Sequence, residues 1–124
     1  MTERVLRNLL ERHIELFNAA VVSGNYEQFV ATFAEDAVMR FDDFPVGPYV
    51  GRGAIADAYA AQPPSDTMAL IGMQVVGRDA VTAGFEWDAG GTGHIYLRFK
   101  RGQVVELAIG FDHVREAELR PRSA

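Results

Sequence analysis

Leu6, Leu9, Leu10, His13, Phe17 and Ala20 recur at three- and four-residue spacing, while Glu11, Arg12 and Glu15 fall on the other side. That pattern predicts an amphipathic helix with His13 in the middle of its apolar stripe. Ser23-Gly24-Asn25 breaks it, and Asn25, with Gln28 three residues on, predicts the cap of a second helix. This helix is expected to bury Phe29, Val30 and Phe33 and to stop near Asp36, with a strand over residues 37–43. Gly47, Pro48, Gly51 and Gly53 mark an irregular segment before a third helix at 54–61, which Pro63-Pro64 ends. From there the period is two. A strand is expected over 68–76, followed by a Gly77-Arg78-Asp79 turn. Val81, Ala83, Phe85 and Trp87 then alternate with Thr82, Gly84, Glu86 and Asp88. Gly90 to Gly93 reads as a hairpin loop, and strands follow at 94–100 and 103–111. Helices first and antiparallel strands afterwards predict an α+β fold, with helices on one side of a curved sheet.

Side-chain parity proposes a pocket. On the strand at 37–43, Met39, Phe41 and Asp43 share one face and Val38, Arg40 and Asp42 the other. The apolar pair sets the inward face, so Asp43 is expected inside at the mouth and Asp42 outside. Asp43 then has two readings: a turn-forming carboxylate before Pro45, or a desolvated proton shuttle beside Phe41 and Phe44. His13 also has two: a packed core histidine, or a donor or base with a reference pKa near neutrality. Phe41, Tyr49, Tyr59, Phe85 and Trp87 are the expected ligand-binding walls, though aromatic stripes also build cores. Arg52 reads as a solvated residue or an anion partner, and Asp112 as the cap of a terminal turn. His94 has the parity opposite to Ile95 and Leu97 and is placed outside the pocket.

Charge and composition narrow the function. A net charge of −5 opposes nonspecific binding to nucleic acid or to anionic membrane surfaces. With no cysteine, disulfides and thiolate chemistry are excluded. The three histidines lack ligand spacing, so no metal site is expected, and no glycine-rich loop opens a helix to cradle a phosphate. No cofactor is implied. No apolar run approaches the roughly 20 residues of a membrane span, and the N-terminal segment has no signal-peptide core. A cytoplasmic protein of one domain, residues 1–124, is the expectation.

Three segments carry a resemblance: NAAVVSGNYEQFVATFAEDAVM, YVGRGAIADAYAA and GQVVELAIGFD. In this order they resemble the nuclear transport factor 2-like superfamily, most closely its SnoaL-like and ketosteroid-isomerase-like branch. The resemblance implies a cone-shaped, cystatin-like α+β roll enclosing a deep, mostly apolar pocket. It does not fix the activity, because this fold hosts isomerases, cyclases, dehydratases, epoxide hydrolases and binding domains. Where ketosteroid isomerases carry a tyrosine that donates to the substrate oxygen, this chain has His13. Their general-base aspartate falls on Phe41 here, and their protonated oxyanion-hole acid on Ile95. Oxyanion donors are worth about 2.7–4 kcal/mol each in a transition state, so steroid isomerisation by that route is not expected. The expectation is a lyase or isomerase of cyclase type, acting on an apolar cyclic or polyketide-like substrate by cofactor-free acid/base chemistry, with His13 and Asp43 as the proton-transfer pair. The alternative is a non-catalytic module that binds an apolar small molecule. A homodimer is also expected through the outer sheet face, where Thr82, Gly84, Tyr96, Ala108 and Gly110 are small or broad and Glu106 can meet Arg98.

Overall fold

Thr2 starts the first helix, its hydroxyl accepting the Val5 amide at 3.2 Å. This helix, α1, runs Glu3–Ser23 in the computed structural model, which describes residues 1–42 and 44–112. Gly24 ends it at φ 79°, where its amide bonds back to the Ala20 carbonyl at 2.7 Å. The buried stripe is Leu6, Leu10, His13, Ile14, Phe17 and Ala20; it includes Ile14, which the pattern did not single out, while Leu9 is only half-buried.

The second helix is shorter than the pattern suggests. α2 spans only Glu27–Val30, its first amide held by the Asn25 side chain at 2.9 Å. Thr32 closes it by donating its hydroxyl to the Phe29 carbonyl at 2.7 Å, while its own carbonyl accepts the Val104 amide at 3.0 Å. The chain is thereby turned into the sheet, and Phe33 opens a strand instead of extending a helix. That strand, β1, is Phe33–Phe41; a two-residue strand β2, Tyr49–Val50, pairs with it. α3 follows as Arg52–Ala61.

The strand expected over 68–76 divides into β3, Met68–Leu70, and β4, Gln74–Val76. Both pair with β5, Ala80–Trp87. Leu70 opposes Phe85 and Gln74 opposes Thr82, so three residues on one side span two on the other, which interrupts the strand. β6, Thr92–Lys100, and β7, Gln103–Phe111, complete a seven-stranded sheet in the order β2-β1-β7-β6-β5-β3, with β4 beside β5. β1 runs parallel to β7, and every other pairing is antiparallel. The fold is α+β, helices against one face of a curved sheet.

Register defines the two faces. Met39 lies beside Leu107, which pairs with Leu97 and then Val81; Phe41 lies beside Ile109, then Ile95 and Ala83. These rows meet the helices. Arg40 and Asp42 lie on the other face, as their parity predicts, in a charged chain across three strands. Arg40 binds Glu106, and Glu106 also meets Arg98 at 3.2 Å. Asp42 lies 3.8 Å from Arg40 and 3.6 Å from His94, and His94 meets Asp112 at 2.8 Å. The Arg40 hydrogen bond holds the Glu106 carboxyl below its ordinary pKa. Glu106 and Arg98, expected to meet across a two-fold axis, pair within one chain. Asp112 serves His94; the terminal turn it was expected to cap lies outside the described residues. Gly110 permits the arrangement, because a Cβ there would strike the His94 ring.

Phe29 is the residue on which the helices converge. Its ring contacts His13, Phe17, Phe33 and Tyr59 at centroid distances of 4.9, 5.7, 5.4 and 5.3 Å. Truncation there leaves a cavity that no neighbour can fill alone. Phe29→Ala is expected to cost about 3–5 kcal/mol in urea unfolding. Val22→Ala, at a side chain 80% exposed, should stay within about 0.5 kcal/mol.

Candidate functional site

A cavity of about 410 Å³ lies between the helices and the inner sheet face. α1 contributes Phe17, α3 contributes Tyr59, and the sheet contributes Phe41, Trp87 and Phe111. The segment 64–66, between α3 and β3, adds Pro64, Ser65 and Asp66. Several hydrogen bonds fix that segment. Asn18 clamps Met68, donating to its carbonyl at 2.8 Å and accepting its amide at 2.9 Å. Tyr26 donates to the Pro64 carbonyl at 3.1 Å. Asp66 accepts the Thr67 amide at 2.9 Å with one carboxylate oxygen and the Ala89 amide at 3.0 Å with the other.

The aromatic wall is ordered. Trp87 and Phe111 stack at 6.1 Å with planes 17° apart, and Phe111 and Phe44 at 5.2 Å and 28°. Phe85 meets Trp87 edge-on at 5.1 Å, supporting the indole from behind. Gly93 makes this possible: it sits between Phe85 and Phe111 in the ladder, and a Cβ there would collide with the Phe85 ring. Phe85 fills that space and is fully buried.

The expected site residues therefore separate. Phe41, Tyr59 and Trp87 line the cavity. Phe85 lies behind it, and Tyr49 packs at the sheet edge, its ring 6.4 Å from Phe41. His13 lies in the core against Phe29 and Phe33, one helical turn before the cavity-lining Phe17. It is 4% exposed and its Nδ1 has no hydrogen-bond partner. Burial pushes its pKa from 6.5 down to about 3, so the ring is neutral at physiological pH. Asp43 lies outside the described residues.

Phe17, Asp66 and Phe111 were missed as site residues. Phe17 lies on the predicted helical stripe and Phe111 shares the parity of Leu107 and Ile109, so both had a periodic signal. Asp66 had none, because its place depends on Ala89, distant in sequence. Burial, with Tyr26 stacked at 5.1 Å, pushes the Tyr59 phenol well above its ordinary pKa and keeps it protonated. A larger groove of about 830 Å³ opens between α2 and α3, with Tyr59 as a wall common to both spaces. Arg52 lies there, donating to the Phe33 carbonyl at 3.1 Å. Among the described residues no group of three or more His, Asp or Glu could hold a metal ion, and no helix is long and apolar enough to cross a membrane.

The profile of the SnoaL-like domain matches residues 3–115. This chain belongs to the SnoaL-like domain family. No curated protein matches it by sequence. Solved structures share the fold at low identity. A protein of Jannaschia sp. CCS1, provisionally named a SnoaL-like polyketide cyclase, is 13% identical with a TM-score of 0.73, over 92% of this chain and 90% of that one. One from Kribbella flavida DSM 17836, provisionally named a ketosteroid isomerase, is 16% identical with a TM-score of 0.71, over 87% and 78%. A de novo designed protein with a curved β-sheet is 14% identical with a TM-score of 0.66, over the full length of both chains. At these identities the likeness is one of fold, and the SnoaL-like site has to be read from its own residues.

The His13 imidazole makes acid sensitivity measurable. Its pKa is lower folded than unfolded, so the unfolded chain takes up the proton first as pH falls. The stability this gives is complete above about 6.5 and is lost progressively toward about 3. The slope is at most about 1.4 kcal/mol per pH unit. Urea unfolding of His13→Leu from pH 7 to 4 should show a shallower decline than the wild type. At pH 7 the variant should be as stable or more so, because it removes an unpartnered buried nitrogen.

Proposed function

We propose that this SnoaL-like domain binds a planar, largely apolar small molecule between its helices and its sheet. The observation that carries this is the ring-lined cavity, in which Trp87 and Phe111 present near-parallel faces. Its volume, about 410 Å³, lies in the range of small-molecule sites. Aromatic rings supply area worth about 25 cal/mol per Å² removed from water, and Tyr59 adds a neutral donor that can orient an oxygen.

A second reading is a cofactor-free lyase or isomerase acting on an apolar cyclic or polyketide-like substrate. It is favoured by the provisional names of the cyclase- and isomerase-like neighbours. In that reading Tyr59, held protonated, donates to a substrate oxygen. Binding without turnover is preferred because His13 is neutral in the core.

Native mass spectrometry of the purified protein separates the two. A retained molecule that is released unchanged after long incubation supports binding; a product of different mass or structure supports turnover. N-phenyl-1-naphthylamine, a neutral probe, should quench Trp87, the only tryptophan. Phe111→Ala should weaken that binding about tenfold, the equivalent of about 1.4 kcal/mol. An unchanged affinity would remove the ring-lined cavity as the binding site.

The proposal includes a two-fold homodimer through the outer sheet face, where the broad ring of Tyr96 lies opposite the small residue Ala108. Light scattering should give twice the 13.7 kDa chain mass. A mass of one chain, constant on raising the concentration, would refute it.

A further inference from the structure

Asp66 is the one charged residue among the described residues that line the ring-walled cavity. Its surroundings hold it in place with acceptor capacity to spare. The amides of Thr67 and Ala89 each bond one carboxylate oxygen, which fixes the group between the 64–66 segment and the turn after β5. Those two bonds use about half of the roughly four acceptor positions of a carboxylate. No arginine, lysine or histidine pairs with it among the described residues, whereas Asp42, Glu106 and Asp112 all have such partners on the outer face.

The rings around it favour the same sign of charge. Aromatic faces attract cations, tryptophan and tyrosine most, and the attraction grows when water is excluded. Trp87, Phe111 and Tyr59 supply such faces, and no cationic side chain lies among the described lining residues to repel a positive ligand. The chain's net charge of −5 adds a long-range attraction of the same sign.

From the carboxylate and the rings together we infer that the cavity selects planar aromatic molecules carrying a protonated amine, the ring against the Trp87–Phe111 wall and the ammonium at Asp66. This rests on the proposed ligand-binding reading and adds a charge to the ligand class. Asp66 carried no signal in the sequence, which pointed only to an apolar ligand.

Three matched probes test it by calorimetry: 2-naphthylmethylammonium, 2-naphthylmethanol and 2-naphthoate. The cation should bind at least tenfold tighter than the alcohol, and the carboxylate weakest. Added NaCl should weaken the cation and leave the alcohol unchanged. Asp66→Asn should abolish the cation's advantage while the alcohol binds as before. The wild-type ranking and its salt dependence stand as tests even if that variant folds poorly. An alcohol or carboxylate that binds as tightly as the cation would overturn the charge preference and leave the cavity reading intact. Persistence of the preference in folded Asp66→Asn would also overturn it. Failure of all three probes to bind would overturn the cavity reading and the preference with it.

Discussion

The ring of Phe29 lies where all three helices and the first strand meet, and the position of the cavity follows from that contact. Phe17 and His13 reach it from α1, Tyr59 from α3 and Phe33 from β1. A helix of four residues has little stability of its own, since helix nucleation is unfavourable and short helices depend on packing. α2 is therefore held by its buried aromatic side chain rather than by its backbone. Because Phe29 contacts both Phe17 and Tyr59, the same packing that builds the core sets two walls of the cavity.

Omitted side chains shape the sheet as much as the rings do. At Gly93 the missing side chain lets Phe85 lie flat on the inner face, and the indole of Trp87 is supported on that ring. On the opposite face, at Gly110, the missing side chain makes room for the imidazole of His94 between two carboxylates. The neighbours in sequence, Phe111 and Gly110, thus serve opposite faces. The ring-lined cavity and the surface charge are kept apart by the thickness of one sheet.

The division of polar groups matters for chemistry. The outer face holds Asp42, Glu106 and Asp112 against arginine or histidine, which occupies them. Inside, the described cavity wall combines aromatic and aliphatic side chains with Tyr59, Ser65 and one charged residue, Asp66. The proposed preference for flat, positively charged molecules rests on that wall. The His13 imidazole packs against phenylalanine rings, where burial keeps it uncharged near neutral pH.

Periodicity was enough to find most of the elements and the inward faces. Leu6 to Ala20 marked the buried stripe of α1, and Met39 and Phe41 set the parity that sends Asp42 outward. Those are local properties: a side chain's direction follows from the backbone period, and the apolar members choose the face. The three quoted segments also sufficed to indicate the family. Tertiary structure decided what lies in front of what. Phe33 joined a strand because Thr32 bonds Val104, far along the chain. Phe85 and Phe111 share an inward face, yet only Phe111 meets the cavity, because Gly93 lets the other ring be covered. His13 and Phe17 lie on one stripe, yet only Phe17 reaches the opening. Asp66 had no pattern to announce it and was oriented by an amide 23 residues away. Sequence period encodes which way a side chain points; whether another side chain already occupies that space depends on contacts between distant segments, which no local period contains.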